Sequence, residues 1–320
     1  MKAAVYYETG SPQVFRYETV GDPECAAHGI VIDVKAISIE GGDVLNRAGG
    51  AMTQRPHIVG YQAAGIVRAV GAQAQRFAVG DRVVTVGADG SHAAQRAVAE
   101  ATAWKIPDTL DLEVAACAPI PFGTADDCLF EFGRLVHGES VLVQGGAGGV
   151  GIAAIQLAKR AGARVLATAS SAEKLDRLRD YGMDVGIDYV RDDLVAAVMK
   201  ATDQRGVNLV VDPIGGDVLA ASLRAAGYRG RIVTVGNASR GERLYDVRSL
   251  GMQNQSLTGV FLGAEITTPR VRRMIERHLA DLAQGTLKMP IDARYPLADA
   301  AAAHAHIESR RAFGRVLLVP

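Results

Sequence analysis

Up to about Ala118 the apolar residues come in short runs of strand length: Lys2–Tyr7, Ile30–Ile37, Ala64–Val70 and Arg82–Val86. Turn formers divide them, Gly21-Asp22-Pro23, Gly71 and Gly80-Asp81 among them. Strands packed that closely along a chain predict a small barrel or sandwich, not βαβ units. From about Gly123 the period changes. A helix is expected at Gly123-Thr124, with Asp126 and Asp127 in its first turn, where carboxylates complement the helix dipole. Strands then alternate with helices. Val141–Gln144 precedes a helix from Gly149, Arg164–Ala169 one from Ala172, Val185–Asp188 one from Asp192, and Asn208–Asp212 one from Asp217. Arg231–Val235 and Ser256–Leu262 read as two more strands. Alternation of this length predicts a parallel sheet with helices on both faces.

One later helix is marked at both ends: Thr268 as cap, Pro269 in the first position and Gly285 as the stop. Its apolar stripe, Val271, Met274, Ile275, Leu279 and Leu282, is a core face. A last helix near Ala298–Glu308 and a strand Arg315–Val319 are expected to return to the first domain. The fold class is therefore α/β, a doubly wound parallel sheet beside a β-rich domain. The expected boundaries are 1–122, 123–262 and a returning segment 263–320.

A chain of 320 residues is long enough for two cores. Its 35 basic and 35 acidic residues cancel, and no basic stripe points to nucleic acid. Cys25, Cys117 and Cys128 lie singly, which excludes a disulfide framework and a four-cysteine zinc lobe and suits a reducing compartment. No apolar run approaches ~20 residues, so no membrane span is expected. The N-terminus reads as a first strand and not as a signal peptide. A cytoplasmic protein is the expectation.

The chemistry centres on Val141–Gly151, VLVQGGAGGVG, where Gly146, Gly148 and Gly151 form G-x-G-x-x-G between a strand and a helix. The first glycine permits the tight turn. The second lets the backbone approach a pyrophosphate, and the third lets helix and strand pack closely. The helix start then offers free N–H groups and a positive dipole end to phosphates. A dinucleotide site usually adds an acid at the end of its second strand, bound to the ribose 2′-hydroxyl. Here that strand ends Ala167-Thr168-Ala169-Ser170-Ser171, with Lys174 one turn on. Small hydroxyls and a lysine suit a 2′-phosphate, so NADPH is favoured. Lys174 as a merely solvated helix residue is the alternative.

The GGAGGVG turn, Gly60–Gly71 (GYQAAGIVRAVG), Gly80–Val84 and the closing GRVLLVP resemble the medium-chain dehydrogenase/reductase superfamily. The likeness covers essentially the whole chain and is nearest to the zinc-independent quinone oxidoreductase (zeta-crystallin-like) branch. It implies a GroES-like β-rich barrel domain for the substrate, a Rossmann domain for NADPH, and the cofactor in the cleft between them. It implies that Lys174, Tyr189 and Arg310 hold the 2′-phosphate, and that Gly236 and Val260-Phe261-Leu262 fall near the nicotinamide. The cofactor set is completed by Thr124, Gly146, Gly148, Gly149, Val150, Gly151, Ser170, Ser171 and Asn237. The candidate catalytic residues are Glu40, Asp43, Arg47 and Tyr61.

Where zinc-containing relatives place ligands, this chain has Glu40, Gly60-Tyr61-Gln62 and about Ile120. Only Glu40 is a ligand type, so no metal is expected. His304 and His306 read as surface residues on different faces of a helix, and nothing in the sequence pairs with His57 or His92. Asp43 and Arg47 match the branch; Glu40, where the branch usually has Asn, and Leu45 do not. Asp43 and Arg47 are read either as a structural ion pair or as catalytic groups. Glu40 is read either as a protonated donor to the acceptor oxygen or, with more weight, as a partner of Arg47. Without ligands for a Lewis acid, an acceptor already easy to reduce fits better than a simple ketone.

The expected activity is NADPH-dependent, metal-free reduction of quinones or α,β-unsaturated carbonyl compounds. The alternatives are a 2-alkenal or enoyl-thioester reductase and, in another class, a non-catalytic NADPH-binding protein. The expected partners are a small carbonyl or quinone substrate and a second copy of the chain, joined edge to edge through Ser256–Leu262. No nucleic acid and no membrane are expected.

Overall fold

The computed structural model describes residues 1–241 and 248–320. In chain order the strands and helices begin with β1 (Lys2–Val5), β2 (Arg16–Thr19), β3 (Gly29–Ser38), α1 (Gly41–Gly49), β4 (Gln62–Val70), β5 (Arg82–Val86), β6 (Gln95–Ala99), β7 (Ala103–Lys105) and α2 (Leu112–Ala116). There follow α3 (Pro119–Asp126), β8 (Ser140–Val143), α4 (Gly149–Arg160), β9 (Arg164–Ala169), α5 (Ala172–Arg179), β10 (Val185–Asp188), α6 (Leu194–Ala201), β11 (Val207–Asp212), α7 (Gly216–Ala225) and β12 (Ala226–Thr234). The chain closes with α8 (Arg248–Met252), β13 (Ser256–Gly259), α9 (Leu262–Glu265), α10 (Pro269–Ala283), β14 (Ile291–Pro296), α11 (Ala300–Glu308) and β15 (Arg315–Val319). They divide into two compact units, Met1–Ile120 with Gly263–Pro320, and Pro121–Leu262.

The first unit is built on a seven-stranded sheet in the order β14-β15-β3-β4-β5-β7, with β6 also on β3, beside a two-stranded β1-β2 ribbon. Its pairings are antiparallel except β14 with β15, which are parallel. The alternating apolar residues of these strands close one core, with Ile30, Ile32, Ile37, Val67, Val83 and Leu318 all buried. The last strand does return: Leu317 and Leu318 pair with Ser38 and Ile37 of β3. The Thr268 hydroxyl accepts from the Val271 amide, Pro269 opens α10, and Gly285 follows it in the left-handed region. All five stripe residues of α10 are buried.

The second unit is a six-stranded, wholly parallel sheet in the order β10-β9-β8-β11-β12-β13. Its strands are continuous apolar runs because helices cover both faces. Leu142, Leu166, Ile187, Val210 and Ile232 are all buried in one cluster with Leu219 and Leu223 of α7. Strand order runs one way from β8 through β9 to β10 and the other way from β11 to β13, so the sheet reverses direction between β8 and β11.

Several expectations are corrected. The helix expected at Gly123 opens at Pro119, a proline in a first turn. Asp126 therefore ends that helix and Asp127 begins a wide turn to Glu131, and both are buried instead of capping. The strand Ser256–Leu262 stops at Gly259, and Leu262 opens α9. Strands β2, β6, β7 and β14 and helices α1, α2, α8 and α9 carry no clear periodic signal in the sequence. β7 has three residues and β14 alternates around an arginine and a proline, too little apolar signal for a strand by period alone. No helix among the described residues is long and apolar enough to cross a membrane.

Candidate functional site

In the second unit, β8 carries Gln144 to a turn, Gly145–Gly148, and α4 starts at Gly149 with Gly148 as its cap. The glycines answer different needs. Gly145 is left-handed, φ +63°. A Cβ on Gly146 would lie 2.9 Å from Leu178 Cδ1 and 3.1 Å from Ala167 Cβ. One on Gly151 would lie 2.4 Å from the Gly145 carbonyl oxygen, so helix and turn close only over hydrogen. Gly148 is exposed and crowded by nothing, which leaves the backbone open to an approaching group.

The amides complete that cradle. Gly145 N–H donates to Thr168 Oγ1 at 2.9 Å and Gly146 N–H to the Thr168 carbonyl at 2.7 Å. Ile152 N–H is the first of α4 to find a helical partner, the Gly148 carbonyl at 2.9 Å. The N–H groups of Gly149, Val150 and Gly151 precede it and have no carbonyl behind them. A phosphate there meets free donors and the positive end of the dipole, so the cradle fits a pyrophosphate.

Beside it, Ser170 and Ser171 follow β9, and the Ser171 hydroxyl caps α5 by accepting the Lys174 amide at 3.3 Å. Lys174 is half-buried in the first turn. β10 lies in register on β9, and the Tyr189 amide donates to the Ala169 carbonyl at 3.2 Å, which brings the exposed Tyr189 alongside. A carboxylate unseen in the second strand, Asp188, ends β10, but its Oδ1 accepts the Val190 amide at 3.0 Å within its own turn. Across the point where the sheet reverses, Gly236 (φ +84°) and Asn237 follow β12. Asn237 accepts from the Ser239 hydroxyl at 3.1 Å and donates to the Gly241 carbonyl at 3.0 Å. Phe261 is exposed after β13, Leu262 is buried, and Thr124 is buried inside α3. Gly146 to Gly151, Ser170, Ser171, Lys174, Tyr189, Gly236 and Asn237 thus gather at the carboxyl ends of the strands, the edge where open parallel sheets take ligands. Arg310 belongs to the first unit, exposed and left-handed after α11. A cavity of about 860 Å³ opens at the opposite, amino-terminal edge of the sheet, lined by Ser140, Arg164 and Asn208 among others.

In the first unit, Glu40, Asp43 and Arg47 are buried and Tyr61 is half-buried. The Glu40 carboxylate accepts from Gln62 Nε2 at 2.5 Å, from the Ser38 hydroxyl at 3.3 Å and from the Arg315 guanidinium. Gln62 in turn accepts the Ile120 amide at 3.0 Å. The expected Glu40–Arg47 pair is corrected: β15 runs antiparallel to β3, Leu317 opposite Ser38, so Arg315 arrives opposite Glu40. Arg47 instead reaches the Gly10 carbonyl and Glu308, 2.5 Å away. Of the two readings of Asp43 and Arg47, the ion pair is not formed: Asp43 accepts the amides of Glu40 at 2.8 Å and Tyr61 at 3.1 Å. Burial raises the Glu40 carboxyl above its ordinary value, opposed by Arg315, and lifts Asp43 to about 8. The Tyr61 ring occupies the space a Cβ on Gly42 would need, 2.3 Å away, and its hydroxyl accepts from Asn46 at 3.2 Å.

The positions Glu40, Gln62 and Ile120 therefore converge, but on hydrogen bonds. The oxygen that would ligate zinc already accepts a guanidinium and an amide, and the donor set does not fit a four-coordinate metal. Among the described residues no group of three or more His, Cys, Asp or Glu is placed to hold one. His304 is corrected from surface to core: it is buried, with its Nε2 3.0 Å from His92 Nε2, so His92 does have a partner. His92 also lies against Ser91, and Gly60 (φ +121°) is the residue whose missing Cβ makes room for both.

The family model for an alcohol dehydrogenase GroES-like domain matches residues 26–108, and the one for a zinc-binding dehydrogenase matches residues 149–278. The quinone oxidoreductase of Pseudomonas aeruginosa is 31% identical over 315 residues, 97% of each chain. The Escherichia coli quinone oxidoreductase, solved in complex with NADPH, superposes with a TM-score of 0.95 at 29% identity, covering 100% of both chains. A mycobacterial protein complexed with NADPH gives 0.95 at 33% identity, again with 100% of both chains covered. The chain belongs to the medium-chain dehydrogenase/reductase superfamily, in its quinone oxidoreductase branch. It is an oxidoreductase with the Rossmann-like and GroES-like parts that the branch requires.

Proposed function

We propose that this chain is an NADPH-dependent reductase that works without zinc and passes hydride to quinones or α,β-unsaturated carbonyl compounds. The observation that carries the reading is the carboxyl edge of β8 and β9. There a free-amide cradle stands beside Ser170, Ser171 and Lys174, and Asp188 at the end of β10 spends its Oδ1 on the Val190 amide. Relatives with the same fold were crystallised with NADPH, which supports the choice of cofactor. Bound NADPH supplies the hydride. The chain's part is to hold the dinucleotide. The α4 amides meet the pyrophosphate, Ser170 and Lys174 donate to the 2′-phosphate with Tyr189 beside them, and Gly236 and Asn237 line the nicotinamide end.

In the first unit we assign Glu40, Asp43 and Arg47 a structural duty, because Glu40 is held by Arg315 and Gln62, Asp43 by backbone amides, and the two terminal nitrogens of Arg47 by Gly10 and Glu308. Tyr61 is the one of the four with surface left to meet an acceptor. Glu40→Gln should then lower thermal stability and leave the pH profile of turnover unchanged.

The test is NADPH oxidation measured across quinones, enones, alkenals and enoyl thioesters, with turnover expected on the first two. Tight NADPH binding with no turnover on any acceptor would overturn the enzyme reading and support a binding protein. We also propose a homodimer, in which the edge strand β13 meets its copy in a closed two-fold pairing. A monomer mass by light scattering at micromolar concentration would refute it.

A further inference from the structure

Beneath the glycine turn runs a buried chain of polar side chains that no motif announces. Gly145 N–H donates to Thr168 Oγ1 at 2.9 Å, and Thr168 Oγ1 donates to Gln144 Oε1 at 2.9 Å. Gln144 Nε2 donates to Ser222 Oγ at 3.0 Å, and Ser222 Oγ donates to Asp212 Oδ2 at 3.0 Å. The other oxygen of Asp212 accepts the amides of Ile214 at 2.8 Å and Gly215 at 2.9 Å. Thr168, Gln144, Ser222 and Asp212 are all buried. They come from β9, the end of β8, α7 and β11, so the chain crosses the sheet where its strand order reverses.

The direction of every hydrogen bond in it follows from one group. A carboxylate can only accept, so the Ser222 hydroxyl must donate to Asp212 and is left to accept from Gln144. Gln144 must then turn its NH2 toward Ser222 and its carbonyl toward Thr168. The Thr168 hydroxyl must therefore donate to Gln144, which leaves its lone pairs for the Gly145 amide. The Gly145 amide is thereby held on the Thr168 hydroxyl, beside the Gly146 amide on the Thr168 carbonyl, and neither competes with the free amides of α4. At its far end the carboxylate holds the loop Pro213–Gly216, on which the next loop rests. Ala238 and Ser239 donate to the carbonyls of Pro213 at 3.2 Å and Ile214 at 2.9 Å.

We propose that Asp212 is a positioning residue of the dinucleotide site, which acts through Ser222, Gln144 and Thr168 to fix the phosphate turn against the loop that carries Gly236 and Asn237. The inference rests on the dinucleotide reading above. Asp212→Asn preserves shape and reverses polarity. An amide toward Ser222 turns its hydroxyl back on Gln144, Gln144 turns its NH2 to Thr168, and the Thr168 hydroxyl is left buried with no acceptor.

The experiment uses the full chain and titrates NADPH by its fluorescence in wild type, Asp212→Asn, Thr168→Val and the double variant, with the melting midpoint of each apo form beside it. Each single variant is expected to weaken NADPH about tenfold, as for a lost buried hydrogen bond, and the double variant no more than about twofold further. Thr168→Ser, which restores the hydroxyl, should recover most of the affinity. Losses that multiply in the double variant would overturn the proposal, as would variants that melt earlier yet bind NADPH like wild type. Should Asp212→Asn fail to fold, Ser222→Ala cuts the same chain at its middle and must raise the NADPH Kd in the same direction. A wild-type chain that does not bind NADPH would overturn the functional reading, and this proposal with it. Wild-type binding with indifferent variants would overturn this proposal alone.

Discussion

The glycine turn Gly145–Gly151 and the Glu40 cluster are built in opposite ways. The glycine pattern of the turn is set mostly by near neighbours. Gly151 must lack a Cβ because Gly145 sits six residues back, 2.4 Å away, and the neighbouring strand enters only through Thr168 and Ala167. The Glu40 cluster joins residues 38, 40, 62, 120 and 315, and its charge is balanced by an arginine from the last strand of the chain. The glycine pattern of a contiguous site can be read along the chain, even where its support comes from elsewhere. An assembled one exists only once the sheet has closed.

The largest expected effect lies in the assembled cluster. Arg315→Met removes the cation from a buried carboxylate and should cost about 3–5 kcal/mol of stability, read as a fall in the urea midpoint. Glu40→Met added to it should return a large part, since an apolar pair replaces a lone charge. If Arg315→Met unfolds like wild type, the carboxylate is not held as described and the contrast between the two regions fails.

Next comes the contiguous site. Lys174→Ala should weaken NADPH by about 1.5–3 kcal/mol, as for a charge-assisted contact, and leave NADH almost unchanged. Equal losses for both cofactors would remove Lys174 from the phosphate.

A third prediction uses the other assembled pair, His92 and His304. Burial pushes His92 down to about 3 from 6.5 and lowers His304 well below 6.5, with Arg96 adding to the first and His92, then Arg47, to the second. The unfolded chain therefore binds protons that the folded one refuses. The stability these histidines contribute is present above pH 6.5 and is lost as pH falls toward 3. Asp43, raised to about 8, has the opposite sign, but it is common to both proteins when wild type is compared with His92→Gln. Thermal melts should show the wild-type advantage over His92→Gln shrinking as pH drops, and an advantage constant from pH 7 to pH 4 would contradict the neutral pair. The smallest effect is none: chelators should leave turnover unchanged, and elemental analysis showing about one zinc per chain would refute the non-ligating cluster.

The residues that escaped the sequence reading share a cause. Asp212 ends an apolar strand before Pro213-Ile214-Gly215, a turn signal that the sequence shows openly. What the sequence hides is that Ser222, two turns into α7, and Gln144, from another strand, lie under the same carboxylate. Arg315 was legible as the first residue of a strand, and His304 as part of a helix; their partners were not. Period and turn chemistry report on neighbours within a few residues, whereas Gln144 and Ser222, His92 and His304, and Glu40 and Arg315 are 78, 212 and 275 positions apart and meet only in the folded chain.

By itself the sequence determined the strand–helix alternation, the parallel sheet, the capped α10 and the glycine cradle with its acid-free neighbour. In each, the deciding forces act between residues close in the chain, through apolar period, capping and the room that glycine leaves. Only the tertiary structure decided which cation meets Glu40, that His304 is core and paired, and that Asp212 is tied through Ser222, Gln144 and Thr168 to the glycine turn. Those outcomes depend on which strand lies beside which. A buried polar group takes the partner that the closed sheet delivers, because leaving it without one costs more than any local preference supplies.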